Sequence, residues 1–341
     1  MKRKFQKGLA LLLALALFSA CGASRSDKME TNTDARYYDL KEFKTLMKED
    51  SDFLYRHCLA PYEKETQDGT YIIPGLKQTV SLAAGKPSLC RDMTPQGVTC
   101  DDEHLYISAY CYEHLHNSVI YVINKKTHKY EKTLITPGLN HLGGIAWDDD
   151  HECLWLATHI EGESSASAIL KTTLDAYRLD GRDPDPIRYD HTTLLPDLTE
   201  NSFLTVHYGR LWCGTFVKTG TSIIESFLIT GPGEVDYESK HRQTISASCQ
   251  GIAIYGDTLF LTDSDGPHQK SKLHLFKLTK KSLRNKKEYK SYSLPPRLEQ
   301  IWIDGGHGYI ILESAANAYA PRDFTKIDRV LSLDIRSVID K

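Results

Sequence analysis

Short apolar runs recur along this chain in blocks of three, and five such blocks follow one another between residues 96 and 333. The first run of each block surrounds one anchor residue, and the anchors are Gly97, Gly144, Phe203, Gly251 and Gln300. Successive anchors are 47, 59, 48 and 49 residues apart. A period of about 40 to 50 residues built from β-branched and aromatic runs is typical of a β-propeller, in which each repeat folds as one antiparallel blade. The pattern therefore predicts an all-β propeller with five blades of four antiparallel strands.

The second and third runs of each block keep an almost constant distance from the anchor. Second runs begin at Leu105, Leu154, Leu211, Leu259 and Tyr309, and third runs begin at Ser118, Ser167, Ser222, Ser271 and Asp328. Buried polar groups at strand openings need hydrogen-bond partners, so we expect these serines to link neighbouring blades. The 59-residue gap coincides with the Pro-rich stretch 179–196, which predicts an extended edge of the second blade with a long loop.

The fifth block has three strands before the chain reaches Lys341. The apolar run YIIPGLKQTVSL over 71–82 lies upstream of the first block and is suited to supply the fourth, outermost strand of the last blade. Closure of this kind removes a free sheet edge. An alternative is that 71–93 holds part of an additional blade. Before this run, Asp39 is a candidate N-cap for a short helix in which Leu40, Phe43 and Met47 recur at helical spacing.

The N-terminus has the features of an export signal. Lys2, Arg3, Lys4 and Lys7 precede an apolar run over 9–18, which is too short to span a bilayer. The sequence LFSAC at its end resembles a bacterial lipobox, and the resemblance implies a signal peptide over 1–20 and a lipid on Cys21. The expected location is the outer side of the cell membrane, held by that lipid. The alternative is a secreted protein that is cleaved near Ala20 and leaves Cys21 unmodified.

The remaining chain divides by composition into three segments. A polar tether is predicted over 21–36, a helical segment over 37–69 and the propeller over 70–341. The whole chain has a formal net charge of −3, and loss of the four basic residues in 1–20 makes it about −7. This acidic balance disfavours a nucleic-acid partner. The basic run 280–290 follows a third strand and is interpreted as a solvated outer turn.

Seven cysteines follow Cys21, an odd number with no CxxC pair among them. Cys100 and Cys111 fall at opposite ends of one predicted hairpin, too far apart for a disulfide. We therefore expect neither a disulfide framework nor a zinc site, and interpret Cys153 and Cys213 as small core residues.

The words PQGVT, NSVIYVINKKTHKYEKTL and HLGGIAWD resemble a family of secreted and lipid-anchored propellers of Gram-positive bacteria, over roughly residues 70–335. YncE-like and gluconolactonase-like propellers are more distant relatives by architecture, and the blade number resembles that of glutamine cyclotransferases. The resemblance implies a fold and a location more than a reaction. Where cyclotransferases place an acidic residue after the second strand of their first blade, this chain has SAYCYEH, with Glu113 displaced into the loop.

A propeller brings the starts of its inner strands and the ends of its second strands together around the axis, so ten positions are expected to converge there. The candidate ligand-binding residues are Gln96, Tyr110, His159, Asn201, Phe216 and Gln250. If the protein is an enzyme, the candidate catalytic residues are Glu299, Glu313, Asp263 and His141. Polar and aromatic groups that converge in a concavity are typical of a ligand site. At any single position, a purely structural hydrogen bond between blades is the alternative.

Two classes of function remain open. The first is a monomeric binding module whose axial face takes a small molecule, a peptide or a cell-wall component. The second is an enzyme, either a metal-dependent, lactonase-like hydrolase or a glutamine cyclotransferase-like enzyme with an acidic general acid or base. We expect no cofactor in the first case and Ca²⁺ or another divalent metal on the axis in the second. GxSxG, HExxH, phosphate-loop and dinucleotide motifs are absent from the sequence, which reduces support for the enzymes that they mark.

Overall fold

A computed structural model describes residues 29–62, 69–179, 184–266, 268–279, 282–319 and 325–339. The predicted signal peptide and Cys21 lie outside the described residues. These residues form five four-stranded antiparallel sheets and one two-stranded hairpin. The inner strand of each sheet contacts the inner strands of the sheets before and after it, so the sheets form a closed ring of five blades. This confirms the propeller predicted from the repeat.

The segment before the ring contains short helices and three strands. Helices α1 (Leu40–Asp50) and α2 (Asp52–Leu54) lead into a π-helical turn (Tyr55–Leu59) and a 3-10 turn (Ala60–Tyr62). Strands β1 (Thr70–Ile72), β2 (Thr79–Ala83) and β3 (Lys86–Cys90) follow. No helix within the described ranges is both long enough and apolar enough to cross a membrane.

The strands of the blades follow the repeat, with the inner strand first in each blade. Blade 1 contains β4 (Met93–Cys100), β5 (His104–Cys111), β6 (Val119–Asn124) and β7 (Tyr130–Ile135). Blade 2 contains β8 (Ile145–Asp148), β9 (Cys153–Ile160), β10 (Glu163–Leu170) and, after helix α3 (Lys171–Ala176), β11 (His191–Leu194). Blade 3 contains β12 (Phe203–His207), β13 (Arg210–Gly214), β14 (Thr221–Gly231) and β15 (Glu234–Ser246).

The last two blades complete the ring. Blade 4 contains β16 (Cys249–Tyr255), β17 (Thr258–Asp263), β18 (Ser271–Thr279) and β19 (Ser282–Leu294). Blade 5 contains β20 (Leu298–Asp304), β21 (His307–Leu312) and β22 (Arg329–Asp334), with β1 as its outermost strand, and helix α4 (Arg336–Ile339) follows.

The N-terminal strand closes the ring as predicted. Strand β1 pairs antiparallel with β22, with Tyr71 opposite Val330. The second half of the apolar run departs from the prediction, because Thr79–Ala83 does not join blade 5 and pairs instead with Lys86–Cys90. A Gly at position 75 with a φ of 73° marks the turn at which the chain leaves the blade. The additional blade considered for residues 71–93 is therefore this two-stranded hairpin.

The predicted helix is present and is held against blade 5. Asp39 caps α1 in a capping box with Glu42. The Asp328 carboxylate accepts a hydrogen bond of 2.6 Å from the backbone N–H of Tyr37 and bonds the fully buried Arg329 guanidinium at 2.7 Å. The Arg329 guanidinium in turn covers the Phe43 ring, with 4.2 Å between its central carbon and the ring centre. Blade 5 has Asp328 at the position where the other blades have a Ser, and this Asp binds the N-terminal segment through Tyr37.

Glycine anchors allow the inner strands to approach one another at the axis. A Cβ on Gly144 would lie 2.3 Å from the backbone nitrogen of Leu204, which is fixed in the next blade. A Cβ on Gly97 would lie 2.6 Å from the side-chain oxygen of Gln300. Gln300 needs this space because its amide reaches across to blade 2, where its Nε2 donates to the carbonyl of Ile145 at 2.8 Å. The anchors thus divide into residues that occupy the axis and glycines that make room for them.

Three details differ from the sequence-based expectations. The long second repeat contains α3 as well as the extended edge. Residues 282–290 of the basic run form part of the outer strand β19 rather than a turn. Of the four opening serines, Ser118 and Ser271 bond across to the next blade, at the carbonyl of Asn140 and the N–H of Leu298. Ser167 and Ser222 bond within their own blades.

The described cysteines are all buried and unpaired in disulfides, as expected. They are Cys58, Cys90, Cys100, Cys111, Cys153, Cys213 and Cys249.

Candidate functional site

A cavity of about 330 Å³ lies where the inner strands of the blades begin, and ligand cavities commonly have volumes from about 300 Å³ upward. Its lining residues are Gln96, Tyr110, His141, Glu200, Ser202, Phe216, Gln250, Arg297, Glu299, Glu313 and Tyr319. Seven of these were candidates from the sequence, namely Gln96, Tyr110, His141, Phe216, Gln250, Glu299 and Glu313. The repeat therefore located most of the residues that line the cavity.

Three of the ten candidate residues do not line this cavity, contrary to the expected convergence. His159 is exposed, and its backbone N–H donates to Asn140 at 2.7 Å. Asn201 is buried between blades, where its side chain donates to the carbonyl of Ser165 at 2.9 Å. Asp263 turns toward its own blade and lies 3.6 Å from His274. Their positions in the repeat were right, but the strand ends direct these side chains elsewhere.

Glu313 is the centre of a buried polar network. One carboxylate oxygen accepts a hydrogen bond of 2.8 Å from the guanidinium of Arg297. The other accepts from the Gln96 amide at 3.0 Å and from the hydroxyl of Tyr319 at 3.2 Å. The Arg297 guanidinium also lies 4.1 Å from the centre of the Tyr319 ring, a cation–π contact. Both partners of the ion pair are largely withdrawn from water, so each depends on the other for compensation.

The network extends from Glu313 to His141. The Gln96 side-chain oxygen accepts a hydrogen bond from His141 Nε2 at 2.7 Å, while its amide nitrogen donates to Glu313. This assigns the proton of neutral His141 to Nε2. The imidazole stacks on Tyr110 with 4.0 Å between ring centres. One edge of His141 is open to the cavity, yet its confined surroundings and the neighbouring His114 lower its pKa to about 4. The neutral ring is therefore the stable form at neutral pH.

Glu299 is buried in the same wall but has no such partners. Its residue is 4% exposed, its carboxyl group faces the cavity, and among the described residues that group has no hydrogen-bond partner. Burial raises the pKa of Glu299 well above its usual range, and the nearby Glu313 raises it further. Burial also raises the pKa of Glu313, although Arg297 opposes this shift. Two carboxyl groups with unequal hydrogen bonding therefore share one cavity.

The ten candidate residues from the sequence did not include Arg297, Glu200, Ser202 and Tyr319. A signal for two of them was present, since Glu200 and Arg297 precede their anchors by three residues, as His141 does. Arg297 also has a φ of 73°, a backbone conformation that non-glycine residues adopt at a cost and that is concentrated at functional sites. Tyr319 belongs to a loop between the second and third strands of blade 5, and its direction cannot be obtained from spacing.

The side-chain oxygen atoms that line the cavity are poorly suited to coordinate a Ca²⁺ ion on the axis. Glu313 already accepts three hydrogen bonds and pairs with Arg297, whose positive charge would repel a cation. Glu299 is then the one buried carboxyl group of the lining that remains for coordination, whereas Ca²⁺ takes six to eight oxygen ligands. The lining of the cavity therefore does not fit a Ca²⁺ ion.

The site and topology define the class of this protein as a five-bladed β-propeller with a polar cavity at its axis. No protein-family model matches the chain, and no curated protein sequence matches it significantly. Among solved structures, the hydrazine synthase of Kuenenia stuttgartiensis matches 64% of this chain and 55% of its own, with 13% identity and a TM-score of 0.37.

Two further solved structures are similarly distant. BamB of Moraxella catarrhalis matches 70% of this chain and 58% of its own, with 12% identity and a TM-score of 0.32. The WD40 repeats of RRP9 match 75% of this chain and 99% of their own, with 8% identity and a TM-score of 0.40. This chain thus spans little more than half of the hydrazine synthase and BamB chains.

Proposed function

We propose that this protein is a ligand-binding propeller on the outer side of the cell membrane, whose axial cavity takes a small polar molecule with an amine or other N–H donor group. The observation that carries the proposal is Glu299, a buried carboxyl group that faces the cavity without a hydrogen-bond partner among the described residues. A carboxyl group that no protein donor occupies can accept a hydrogen bond from a ligand, and the bond is stronger in a confined cavity than in open water. The amino groups of peptides and the N–H groups of amino sugars are donors of this kind.

The other walls of the cavity support the same interpretation. Tyr110, Phe216 and Tyr319 provide aromatic contact area, and Gln96 and Arg297 hold Glu313 in one orientation. A prearranged wall loses little conformational freedom when a ligand binds. A volume of about 330 Å³ is at the lower end for ligand sites and favours a ligand the size of an amino acid, a dipeptide or one sugar ring.

The proposed location depends on the lipobox-like sequence at Cys21, which lies outside the described residues. The resemblance to lipid-anchored propellers of Gram-positive bacteria supports it. Stable anchoring requires more than one acyl chain or a second signal, and bacterial lipidation of the N-terminal Cys supplies such chains. We expect the wild-type protein in the membrane fraction and the Cys21→Ala protein outside it. Equal membrane association of the two, measured by fractionation and mass spectrometry, would contradict the anchor without affecting the cavity.

Thermal-shift titration of the full-length protein tests the ligand proposal, because a ligand that binds the native state raises its melting temperature. The panel contains amino acids, dipeptides, amino sugars, neutral sugars and lactones, each with and without EDTA. We expect a shift from an N–H donor class that is reduced but not abolished in Glu299→Gln, whose amide oxygen still accepts a hydrogen bond. The shift should be fully retained in the control Glu200→Gln, which changes an exposed carboxyl group of the same cavity. A shift from neutral sugars or lactones that survives in Glu299→Gln would overturn the proposal.

A glutamine cyclotransferase-like enzyme is the second candidate, and the raised pKa of Glu299 favours it. A carboxyl group with a raised pKa keeps its proton to higher pH, and it is then suited to protonate the amide nitrogen as that nitrogen leaves. In that reaction the α-amine attacks the side-chain carbonyl of an N-terminal glutamine, the C–N bond of the amide breaks and ammonia departs. Release of ammonia from glutaminyl peptides, abolished by Glu299→Gln but not by Glu200→Gln, would support the enzyme. Ligand binding without ammonia release would support the binding module.

A further inference from the structure

A second group of chemically reactive side chains lies beside blade 1, outside the lining of the axial cavity. Cys90 ends strand β3, Cys111 ends strand β5, and His116 lies in the loop that follows β5. One ligand atom from each residue, two thiol sulfurs and an imidazole nitrogen, lies within 4.8 Å of the other two. Among the described residues, no other set of three His, Cys, Asp or Glu side chains meets this criterion.

The distances suit a tetrahedral metal ion. Zinc lies about 2.3 Å from a thiolate and about 2.0 to 2.1 Å from an imidazole nitrogen, so its ligand atoms are separated by roughly 3.5 to 3.8 Å. Cys111 Sγ and His116 Nδ1 are 3.4 Å apart, close to that range. Small side-chain rotations therefore suffice to place all three atoms around one ion. Both thiols are buried, and His116 is half-buried, which leaves a route for an ion from the surface.

Neighbouring groups hold the ligands in the required orientation. The other ring nitrogen of His116, Nε2, lies 3.1 Å from Ser88 Oγ, which fixes the ring with Nδ1 toward the thiols. The backbone N–H of Asp92 donates to Cys90 Sγ at 3.4 Å. Metal-binding histidines commonly bond their second ring nitrogen to a neighbour in this way, and loss of such a partner weakens metal affinity about 10- to 100-fold.

We propose that Cys90, Cys111 and His116 bind Zn²⁺. Thiolate and imidazole ligands together favour zinc over the hard cations Ca²⁺ and Mg²⁺. Each thiol that becomes a ligand loses its proton to solvent, and His116 binds through neutral Nδ1. Three protein ligands leave the fourth tetrahedral position to water. No sequence motif indicates this site, because its ligands come from two hairpins and lack the CxxC spacing of common zinc sites.

The proposed ion would join the β2–β3 hairpin to blade 1. It would also fix the loop after β5, in which His114 contacts Tyr110, with 5.6 Å between their ring centres. Tyr110 lines the axial cavity, so the ion would stabilise one wall of the cavity without belonging to it. The zinc proposal does not depend on the identity of the axial ligand.

Titration of the reduced, metal-free, full-length protein with Co²⁺, followed by competition with Zn²⁺, tests the proposal. We expect one equivalent of Co²⁺ to produce the near-ultraviolet absorption of a thiolate-to-cobalt transition, which Zn²⁺ then abolishes. Cys111→Ser and His116→Ala should lose at least 10-fold in affinity, and Ser88→Ala should lose about 10-fold. The control is Cys213→Ser, which removes a buried thiol of blade 3 and should bind cobalt as the wild type does.

Three results would overturn the zinc site. The first is absence of the thiolate-to-cobalt absorption in the wild type. The second is equal absorption in the wild type and in His116→Ala, a half-buried position at which misfolding is less of a concern than at the buried thiols. The third is a wild-type mass two hydrogen atoms lower, with Cys90 and Cys111 joined in a disulfide after purification without reductant. Circular dichroism establishes that each variant is folded.

Discussion

The two sides of the axial cavity differ in how their polar groups are satisfied. On the side of blades 5 and 1, which we call the seam side because the two blades meet beside β1, Gln96, Arg297, Glu313 and Tyr319 form one connected network. On the side of blades 3 and 4, the far side, the lining residues are Glu200, Ser202, Phe216 and Gln250. Glu200 is exposed, and Ser202 accepts only a local backbone N–H from Phe216.

Residues at equivalent positions of the repeat can differ in burial and in hydrogen bonding. Gln96 and Gln250 both directly precede a glycine anchor, yet Gln96 is 2% exposed and bonded on both ends of its amide, while Gln250 is half-buried. Buried polar groups without partners are costly, whereas water satisfies exposed ones. The seam side should therefore be sensitive to substitution, and the far side should be tolerant.

Removal of the closing strand should produce the largest effect. Deletion of 71–82 removes most of β1, the strand that pairs with β22, and so exposes the outer edge of blade 5. It also removes most of β2. Because each blade packs on two neighbours around a closed ring, we expect the whole ring to lose its cooperative melting transition. Differential scanning calorimetry provides the measurement. A truncated protein that melts like the full-length chain would show that the seam contributes little to ring stability.

Replacement of Glu313 by Ala should have the next largest effect. It leaves the largely buried Arg297 guanidinium without its carboxylate, and breaking one partner of a buried pair costs about 3 to 5 kcal/mol. The far-side control Glu200→Ala should change the free energy of unfolding by at most about 0.5 kcal/mol. Urea denaturation monitored by tryptophan fluorescence compares the two. Equal effects would remove the distinction between the sides.

Replacement of Gln96 by Ala should have a smaller effect on the same side. It leaves Glu313 and His141 each without one hydrogen bond, for an expected loss of about 1 to 3 kcal/mol. Gln250→Ala, at the matching position before the anchor of blade 4, should be close to wild type. The same urea experiment applies. A Gln250 variant less stable than the Gln96 variant would reverse the comparison.

The smallest expected effect is a pH-dependent gain in Glu299→Gln. The pKa of Glu299 is raised in the folded protein above its unfolded value of about 4.3, so its contribution to stability is fully present below that pH and is lost as pH rises through the folded pKa. Gln cannot ionise and escapes this loss. The variant should therefore match the wild type at pH 4 and exceed it at pH 8 in the same urea experiment.

His141 also makes the free energy of unfolding depend on pH, with the opposite sign. Because His141 is present in both the wild type and Glu299→Gln, its contribution cancels when the two are compared. Its folded pKa of about 4 lies below the unfolded value of about 6.5, so the unfolded state takes up its proton first as pH falls. This contribution of His141 to stability is lost from about pH 6.5 toward pH 4.

If Glu299→Gln gained stability equally at pH 4 and pH 8, ionisation of Glu299 would not be the cause of the gain.

The periodicity of the sequence was sufficient to predict the ring of blades, but not to predict which side chains form the site. The anchors, the three runs per block and the N-terminal closing strand have regular spacing because every blade meets the same packing requirement. Side-chain direction at strand ends has no such regularity, which is why Asp263 turns to His274 while Glu313 turns to Arg297. The cluster of Cys90, Cys111 and His116 depends on a hairpin outside the repeat, so no spacing within the blocks could indicate it.

The hydrogen bond between Gln96 and Glu313 joins residues that are 217 positions apart in the chain. During synthesis, the first four blades therefore emerge from the ribosome with Gln96 in place but its acceptor not yet made. A chain interrupted before blade 5 has no complete cavity, whatever structure its earlier blades have reached. Ligand binding in the cavity therefore requires that blade 5 has been synthesised and that the ring has closed.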